Sequence, residues 1–183
     1  MFKNKINLRN VVVIAICLAA TIFPQQMQSA TPTGLEEIGS VKLPNTFTNE
    51  YEKIVLDPTT YTLIVFSATF CAPCMRMIPT MKQIHEATRG YLNLVYITLD
   101  ANTNSIDNWN ALMKRENIEW RSLGLANRDL IRRWRAGILP SYVLVAPNGY
   151  AKRITLRFED EVQELLSTVG APLTEIQTPW ARE

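Results

Sequence analysis

The sequence Cys71-Ala72-Pro73-Cys74 stands between an apolar run of strand length, Tyr61–Ala68, and a segment with helical periodicity. A CxxC pair in this position is typical of a thiol–disulfide redox motif, and the spacing allows a disulfide across the first helical turn. The first thiol then lies at the helix N-terminus, where unpaired N–H groups favour a thiolate and lower a cysteine pKa from about 8.5 to roughly 3.5–7.5. Pro73 suits the opening of a helix. We predict Cys71 as the attacking thiolate and Cys74 as the resolving thiol.

Three other interpretations of the cysteine pair stay open. Zinc needs about four nitrogen or sulfur ligands, and the rest of the chain offers only Cys17 and His85. A structural disulfide across so short a loop gains only about 2 kcal/mol, which is little for a domain with a real core. The pair could also be inert core cysteines. We favour the redox interpretation and expect no metal site.

The first 30 residues have the pattern of a secretory signal. A basic segment that contains Lys3, Lys5 and Arg9 precedes a mainly apolar stretch of 13 residues, Val11–Phe23, and Pro24 ends the run. The apolar run is shorter than the roughly 20 residues that span a bilayer, although an uncleaved membrane anchor stays an alternative. We expect the domain to be exported, to the periplasm or an equivalent extracytoplasmic space. Removing residues 1–30 would leave only the CxxC cysteines, which fits redox chemistry better than structural cross-linking.

The charge of the chain gives no reason to expect a nucleic-acid partner. The formal net charge is +2, but three of the 19 basic residues and none of the 17 acidic residues lie in the first 30. The remainder holds 16 basic and 17 acidic residues, a net charge of −1. Electrostatic binding to nucleic acid or to an anionic membrane surface needs a basic excess. With 183 residues, the chain is long enough for one domain with a substantial core, and we expect a monomer.

Hydrophobic patterning and turn signals predict alternating strands and helices. The Tyr61–Ala68 run lacks alternation, as expected of a parallel strand that is covered on both faces. Pro147-Asn148-Gly149 predicts a hairpin turn. The other predicted elements are an edge strand near Ile38–Leu43, helices at Asn49–Val55, Pro73–Ala87, Ser105–Arg115, Arg128–Arg135 and Glu159–Val169, strands at Leu92–Leu99, Ile118–Leu123, Ser141–Ala146 and Tyr150–Leu156, and a tail at Leu173–Glu183.

Four features make the chain resemble the thioredoxin fold. They are the strand-to-CxxC segment with Phe70 before the first cysteine, Pro79 inside the following helix, Leu139-Pro140-Ser141, and the Asn148-Gly149 hairpin. The resemblance covers about residues 49–170 of a single domain spanning 31–183. It implies an α/β fold in which a central mixed sheet is flanked by helices. The extra helix and strand before the proline strand resemble the exported TlpA/ResA-like branch.

The resemblance also implies a function and a substrate surface. Members of this branch usually reduce disulfides of other extracytoplasmic proteins and receive electrons from a separate donor, here expected to be a membrane protein. Pro140 matches the family's cis proline, which would expose the Leu139 backbone to an extended substrate. Leu139, Phe70 and Ala72 would form an apolar rim around the cysteines. No nucleotide-binding motif occurs, so no soluble cofactor is expected beyond the redox-active disulfide itself.

The chain departs from the family at two positions. Thioredoxins carry a buried acid where this chain has Val65, and TlpA/ResA-like proteins often carry Glu where it has Met77. Both acids assist proton transfer at the resolving cysteine. The alternatives for function are an oxidase or isomerase in oxidative folding, and a redox-inert peptide-binding module.

Several other residues have more ordinary interpretations. We predict His85 to be a surface or core histidine. The arginine group is predicted to be a solvated helix face, with a docking patch for an acidic partner as the alternative. The tryptophans are predicted to be packing residues. The arginines are Arg132, Arg133 and Arg135, and the tryptophans are Trp109, Trp120 and Trp134.

Overall fold

Five strands form the central sheet of the computed structural model, which describes residues 41–100, 102–124, 131–132 and 134–180. The strands lie in the order β5-β4-β3-β6-β7; β3, β4 and β5 run parallel, and β6 runs antiparallel to its two neighbours, β3 and β7. A separate two-stranded sheet pairs β1 with β2. The described elements are β1 (Lys42–Pro44), β2 (Tyr51–Lys53), β3 (Tyr61–Ser67), α1 (Ala72–Ala87), β4 (Leu92–Thr98), α2 (Thr103–Arg115), β5 (Arg121–Gly124), β6 (Ser141–Val145), β7 (Ala151–Ile154) and α3 (Glu159–Val169).

The central strand β3 is buried on both faces. Leu63 and Val65 belong to one hydrophobic cluster, whereas Ile64 and Phe66 belong to another, and each is at most 2% exposed. Both pleat faces of a fully covered strand must be apolar, which explains why the sequence run lacks alternation. The predicted fold class is confirmed, including the extra helix and strand, α2 and β5, between β4 and β6.

The helices α1, α2 and α3 pack on the face of the sheet that carries Leu63. Their buried residues include Met81 of α1, Trp109 of α2 and Leu166 of α3, all in the same cluster. The helix α3 has the predicted bounds and ends at Gly170, whose φ of +75° suits a glycine C-cap. In the ranges described, no helix combines the length and the apolar character needed to cross a membrane.

The tryptophans pack inside the domain, as predicted. Trp109 is fully buried and donates from Nε1 to Ser122 Oγ at 2.7 Å. Trp120 lies 5.4 Å from the Tyr96 ring, and Trp134 lies edge-on to Phe66 at 5.4 Å on the opposite face of the sheet. The predicted helix Arg128–Arg135 falls largely outside the described residues, since positions 128–130 and 133 are not among them.

The prediction of a helix at Asn49–Val55 is wrong. This segment instead contains β2, which pairs antiparallel with β1. Asn49 has a φ of +59° in the connecting turn, a conformation that asparagine tolerates better than most residues. Tyr51 and Val55 are more than 60% exposed, and only Ile54 is fully buried. Pairing between β1 and β2 supplies the backbone hydrogen bonds of this segment, and its apolar residues do not form one helical stripe.

The C-terminal segment predicted as a tail is packed onto the domain. Ile176 is 2% exposed and belongs to the main hydrophobic cluster. The Thr80 hydroxyl of α1 donates to the Gln177 carbonyl at 2.7 Å. Arg76 lies over the Trp180 ring at 5.8 Å. The segment therefore covers α1, the helix that begins at the cysteine pair.

Candidate active site

Cys71 is the N-cap of α1, and it forms a disulfide with Cys74. The Cα atoms of the two cysteines are 5.2 Å apart. The Cys74 backbone N–H donates to Cys71 Sγ at 3.2 Å, so a sulfur atom takes the place of the oxygen that usually caps a helix. The cysteines are only 7% and 4% exposed. The sequence thus places the first sulfur where helix N–H groups converge.

The cis proline loop lies against this disulfide. The Leu139–Pro140 peptide is cis, as the family resemblance implied. Leu139 packs against the cluster of Ala68, Cys71 and Cys74. The sheet register explains the contact, because Phe66 at the end of β3 pairs with Ser141 at the start of β6. The loop before β6 therefore meets the loop after β3, although they are distant in sequence.

The rim of the site is apolar and exposed to solvent. Phe70, directly before Cys71, is 73% exposed, and Ile138, directly before Leu139, is 80% exposed. These are the two most exposed large apolar side chains in the described part of the chain. Ala72 is also exposed, and Leu139 is half-buried. Leu139 packs against the cysteines, and Phe70 and Ala72 flank Cys71 in the chain. Ile138 was not among the predicted rim residues.

A buried carboxylate holds the turn that leads into Cys71. Asp100 is 3% exposed. It accepts from the Thr69 backbone N–H at 2.9 Å, from the Thr69 hydroxyl at 2.7 Å and from the Thr98 hydroxyl at 2.7 Å. The turn is closed by the Cys71 N–H, which donates to the Ala68 carbonyl at 3.1 Å. Asp100 therefore fixes the residue two positions before the first cysteine.

This role of Asp100 was not predicted, although the sequence contains a signal for it. Asp100 directly follows the strand Leu92–Leu99, and the CxxC follows the neighbouring parallel strand. Side chains at the carboxyl ends of adjacent parallel strands meet at one edge of the sheet. In the structure Ser67 pairs with Thr98, so Thr69 comes opposite Asp100 when that register is extended by two residues.

Neither position at which related proteins carry an acid supplies a polar group. Val65 and Met77 are each 2% exposed and lie in the main hydrophobic cluster. Cys74 is buried on the same helix as Met77. Any proton that leaves Cys74 therefore does not pass to a carboxylate at either of these two positions.

His85 lies at the far end of α1, away from the cysteines. Its ring is 5.0 Å from the Trp120 ring, and it is half-buried, as predicted for a structural histidine. Burial lowers the pKa of His85 below its usual value of 6.5, and the charge of Arg89 lowers it further. Among the described residues, no three His, Cys, Asp or Glu side chains converge as a metal site would require.

Comparison with known proteins assigns the family. The model of the thioredoxin-like family matches residues 59–151, slightly more than half of the chain, and the chain belongs to this family. No sequence among the curated proteins matches it.

Several solved structures share the fold. The thioredoxin domain of a thiol-disulfide oxidoreductase from Bacteroides vulgatus is 16% identical, with a TM-score of 0.61 over 70% of this chain and 92% of that one. A secreted Mycobacterium tuberculosis disulfide oxidoreductase, described as homologous to E. coli DsbE, is 15% identical, with a TM-score of 0.59 over 74% and 97%. A thioredoxin-like protein from Porphyromonas gingivalis is 22% identical, with a TM-score of 0.58 over 73% and 90%. At these identities the likeness establishes the fold.

Proposed function

We propose that this protein is an exported thiol–disulfide oxidoreductase that reduces disulfides in other extracytoplasmic proteins. The observation that carries the proposal is the Cys71–Cys74 disulfide at the N-terminus of α1, packed against the cis Leu139–Pro140 loop. Three structures with the same fold come from proteins described as disulfide or thiol-disulfide oxidoreductases, and one of these is described as secreted. The signal-like pattern of residues 1–30 supports export, and the TlpA/ResA-like branch fits this combination.

The reaction begins with the reduced pair. The Cys71 thiolate attacks one sulfur of a substrate disulfide, the substrate S–S bond breaks, and a mixed disulfide and a free substrate thiol result after protonation. Cys74 then loses its proton and attacks Cys71 Sγ, which releases the second substrate thiol and leaves the Cys71–Cys74 disulfide. Two electrons have passed to the substrate. A separate donor dithiol or membrane-bound reductant returns two electrons and two protons to the pair.

The surroundings of Cys71 favour its thiolate once the disulfide is open. The N-cap position and the Cys74 N–H aim positive partial charge at Cys71 Sγ. We expect the pKa of Cys71 in the reduced protein to lie well below the roughly 8.5 of a free cysteine. Because Val65 and Met77 are apolar, the proton of Cys74 passes to water or to a group on the substrate. The disulfide is itself the redox group, and the proposal needs no further cofactor.

The loop of Leu139 and Pro140 receives the substrate chain. Pro140 lacks a backbone N–H, but the N–H and C=O of Leu139 can pair with an extended segment beside the cysteines. Backbone pairing of this kind tolerates many substrate sequences. Phe70 and Ile138 supply apolar contact on either side, which explains why such large side chains are left exposed.

Trapping of the mixed disulfide tests the proposal. Cys74→Ser retains the attacking thiolate but cannot release the substrate, so it should accumulate a covalent adduct with an insulin chain that is visible on a non-reducing gel. Cys71→Ser should form no such adduct and should have no insulin-reductase activity. An inactive wild-type protein, or equal trapping by both variants, would exclude the proposed mechanism.

The reverse direction, oxidation of substrate thiols, is the second candidate. The observation that favours it is the helix N-terminus, because a strongly stabilised Cys71 thiolate makes the reduced form more stable and the disulfide more oxidising. The equilibrium reduction potential separates the two directions.

A further inference from the structure

A groove of about 480 Å³ opens beside the cis proline loop. It is lined by Ile131, Arg132, Arg135, Gly137 and Ile138. Ile138 directly precedes Leu139, which packs against the cysteine pair. The groove therefore adjoins the residue whose backbone is proposed to pair with the substrate.

The groove combines the guanidinium group of Arg135 with two isoleucine side chains, Ile131 and Ile138. Arg132 and Arg135 are both exposed, as the sequence analysis predicted for this basic group; Arg133 lies outside the described residues. Among the described residues that line the groove, none is acidic. Guanidinium groups bind carboxylates through paired hydrogen bonds, whereas isoleucine side chains accept an apolar neighbour. The lining therefore suits an acidic side chain next to apolar ones.

The backbone holds Arg135 in a position that usually belongs to glycine. Arg135 N–H donates to the Arg132 carbonyl at 3.2 Å, and Ala136 N–H donates to the Ile131 carbonyl at 2.8 Å. With a φ of +51° at Arg135, these bonds form the pattern of a Schellman helix end, in which glycine is preferred at the left-handed residue. Arg135 thus adopts a left-handed backbone conformation that strains any residue except glycine. Backbone strain of this kind often occurs at functional sites.

We propose that this groove selects substrates in which an acidic side chain lies close to the reactive cysteine of an extended segment. The inference rests on the proposed function, since it names the class of protein disulfide that the same site prefers. The carboxylate pairs with Arg135 while the substrate backbone lies along Leu139. Attraction between opposite charges near the surface raises the encounter rate and weakens as salt screens it.

Two disulfide peptides of the same sequence, one with Asp and one with Lys flanking the cysteine, test the inference. The reduced protein should reduce the Asp peptide about tenfold faster than the Lys peptide at low salt, and the ratio should fall at 0.5 M salt. Arg135→Gly should lose most of this preference, whereas Arg135→Lys should retain part of it. Because glycine suits the left-handed position, Arg135→Gly should keep or raise the unfolding midpoint, so that lost selectivity cannot be attributed to misfolding.

Arg89→Ala is the matched control. Arg89 is an exposed arginine at the far end of α1, paired with Glu86 at 2.8 Å, and its removal should leave the ratio of the two peptide rates unchanged. Equal rates for the two peptides, or a ratio that survives Arg135→Gly, would overturn the inference. Reduction of the neutral bis(2-hydroxyethyl) disulfide by the wild-type protein checks the proposed function separately. If that reaction succeeds while the peptides are not discriminated, the inference alone fails; if it does not occur, both fail.

Discussion

Replacing Asp100 with alanine should destabilise the domain and slow its reaction with disulfides. The carboxylate accepts three hydrogen bonds, two from Thr69 and one from Thr98. Thr98 is fully buried and Thr69 is half-buried. Alanine leaves the Thr98 hydroxyl without this acceptor and frees the turn that leads into Cys71.

The structure sets the size of the effect. A buried donor left without its acceptor costs about 1–3 kcal/mol. The Thr98 hydroxyl and the Thr69 N–H are two such donors, and the Thr69 hydroxyl can turn to water, so the free energy of unfolding should fall by about 2–5 kcal/mol. Asp100→Asn keeps the shape and can satisfy the same groups with a neutral amide. The free energy of unfolding of Asp100→Asn should fall by only about 1–2 kcal/mol, because the hydrogen bonds remain but are no longer strengthened by the carboxylate charge.

Chemical denaturation and single-turnover kinetics measure the two consequences. We expect the second-order rate constant for disulfide reduction by Asp100→Ala to fall about tenfold or more under conditions in which the variant is folded, because the entry to Cys71 is no longer held. The pH profile of Cys71 alkylation should shift as well, which a purely global loss of stability would not cause. Asp107→Ala, at an exposed position on α2, is the matched control and should change neither quantity. A change in unfolding free energy below about 0.5 kcal/mol for Asp100→Ala, or an equal loss for Asp100→Asn and Asp100→Ala, would show that the Asp100 carboxylate does not hold this turn.

Two further predictions concern stability. Because the pKa of His85 is lowered in the folded protein, the unfolded chain binds the proton more tightly. The free energy of unfolding should therefore fall as the pH drops below about 6.5. His85→Gln should reduce the difference in unfolding free energy between denaturation curves at pH 7.5 and pH 5.5. An unchanged difference would exclude His85 as its source. Ile176→Ala should cost about 2–5 kcal/mol, since Ile176 is 2% exposed, whereas Leu173→Ala, at 68% exposed, should cost less than about 0.5 kcal/mol. Equal effects of these two alanine variants would show that the C-terminal segment is not packed as described.

The elements next to the cysteine pair could be predicted because several local signals agreed. The unbroken apolar run before Cys71 required a strand covered on both faces, and Pro73 with the CxxC required a helix start. The bounds of α3 were also predicted, since Glu159–Glu161 and Gly170 mark its two ends. The cis state of Pro140 came from the family resemblance, since an isolated X-Pro sequence does not determine it.

The parts that sequence reasoning missed depend on contacts between distant segments. The apolar residues of Asn49–Val55 fit a helix locally, but pairing with β1 decided the structure. An Asn45 side chain that accepts from the backbone N–H groups of Phe47 and Thr48 marks the turn, and such a local signal is weak in sequence. Ile176 is buried only because α1 and the core offer it a surface, and Asp100 reaches Thr69 only through the register of β3 and β4.

The reduction potential of the Cys71–Cys74 couple determines in which direction the protein transfers electrons. The protein would be equilibrated with defined ratios of oxidised and reduced glutathione or dithiothreitol, and the dithiol fraction would be measured by thiol alkylation and mass spectrometry. We expect a potential near that of thioredoxin, about −270 mV, as a reductant supplied by a dedicated donor requires. A potential near −120 mV would show an oxidant and contradict the proposed direction of electron flow, and a pair that does not exchange with either buffer would contradict the redox function itself.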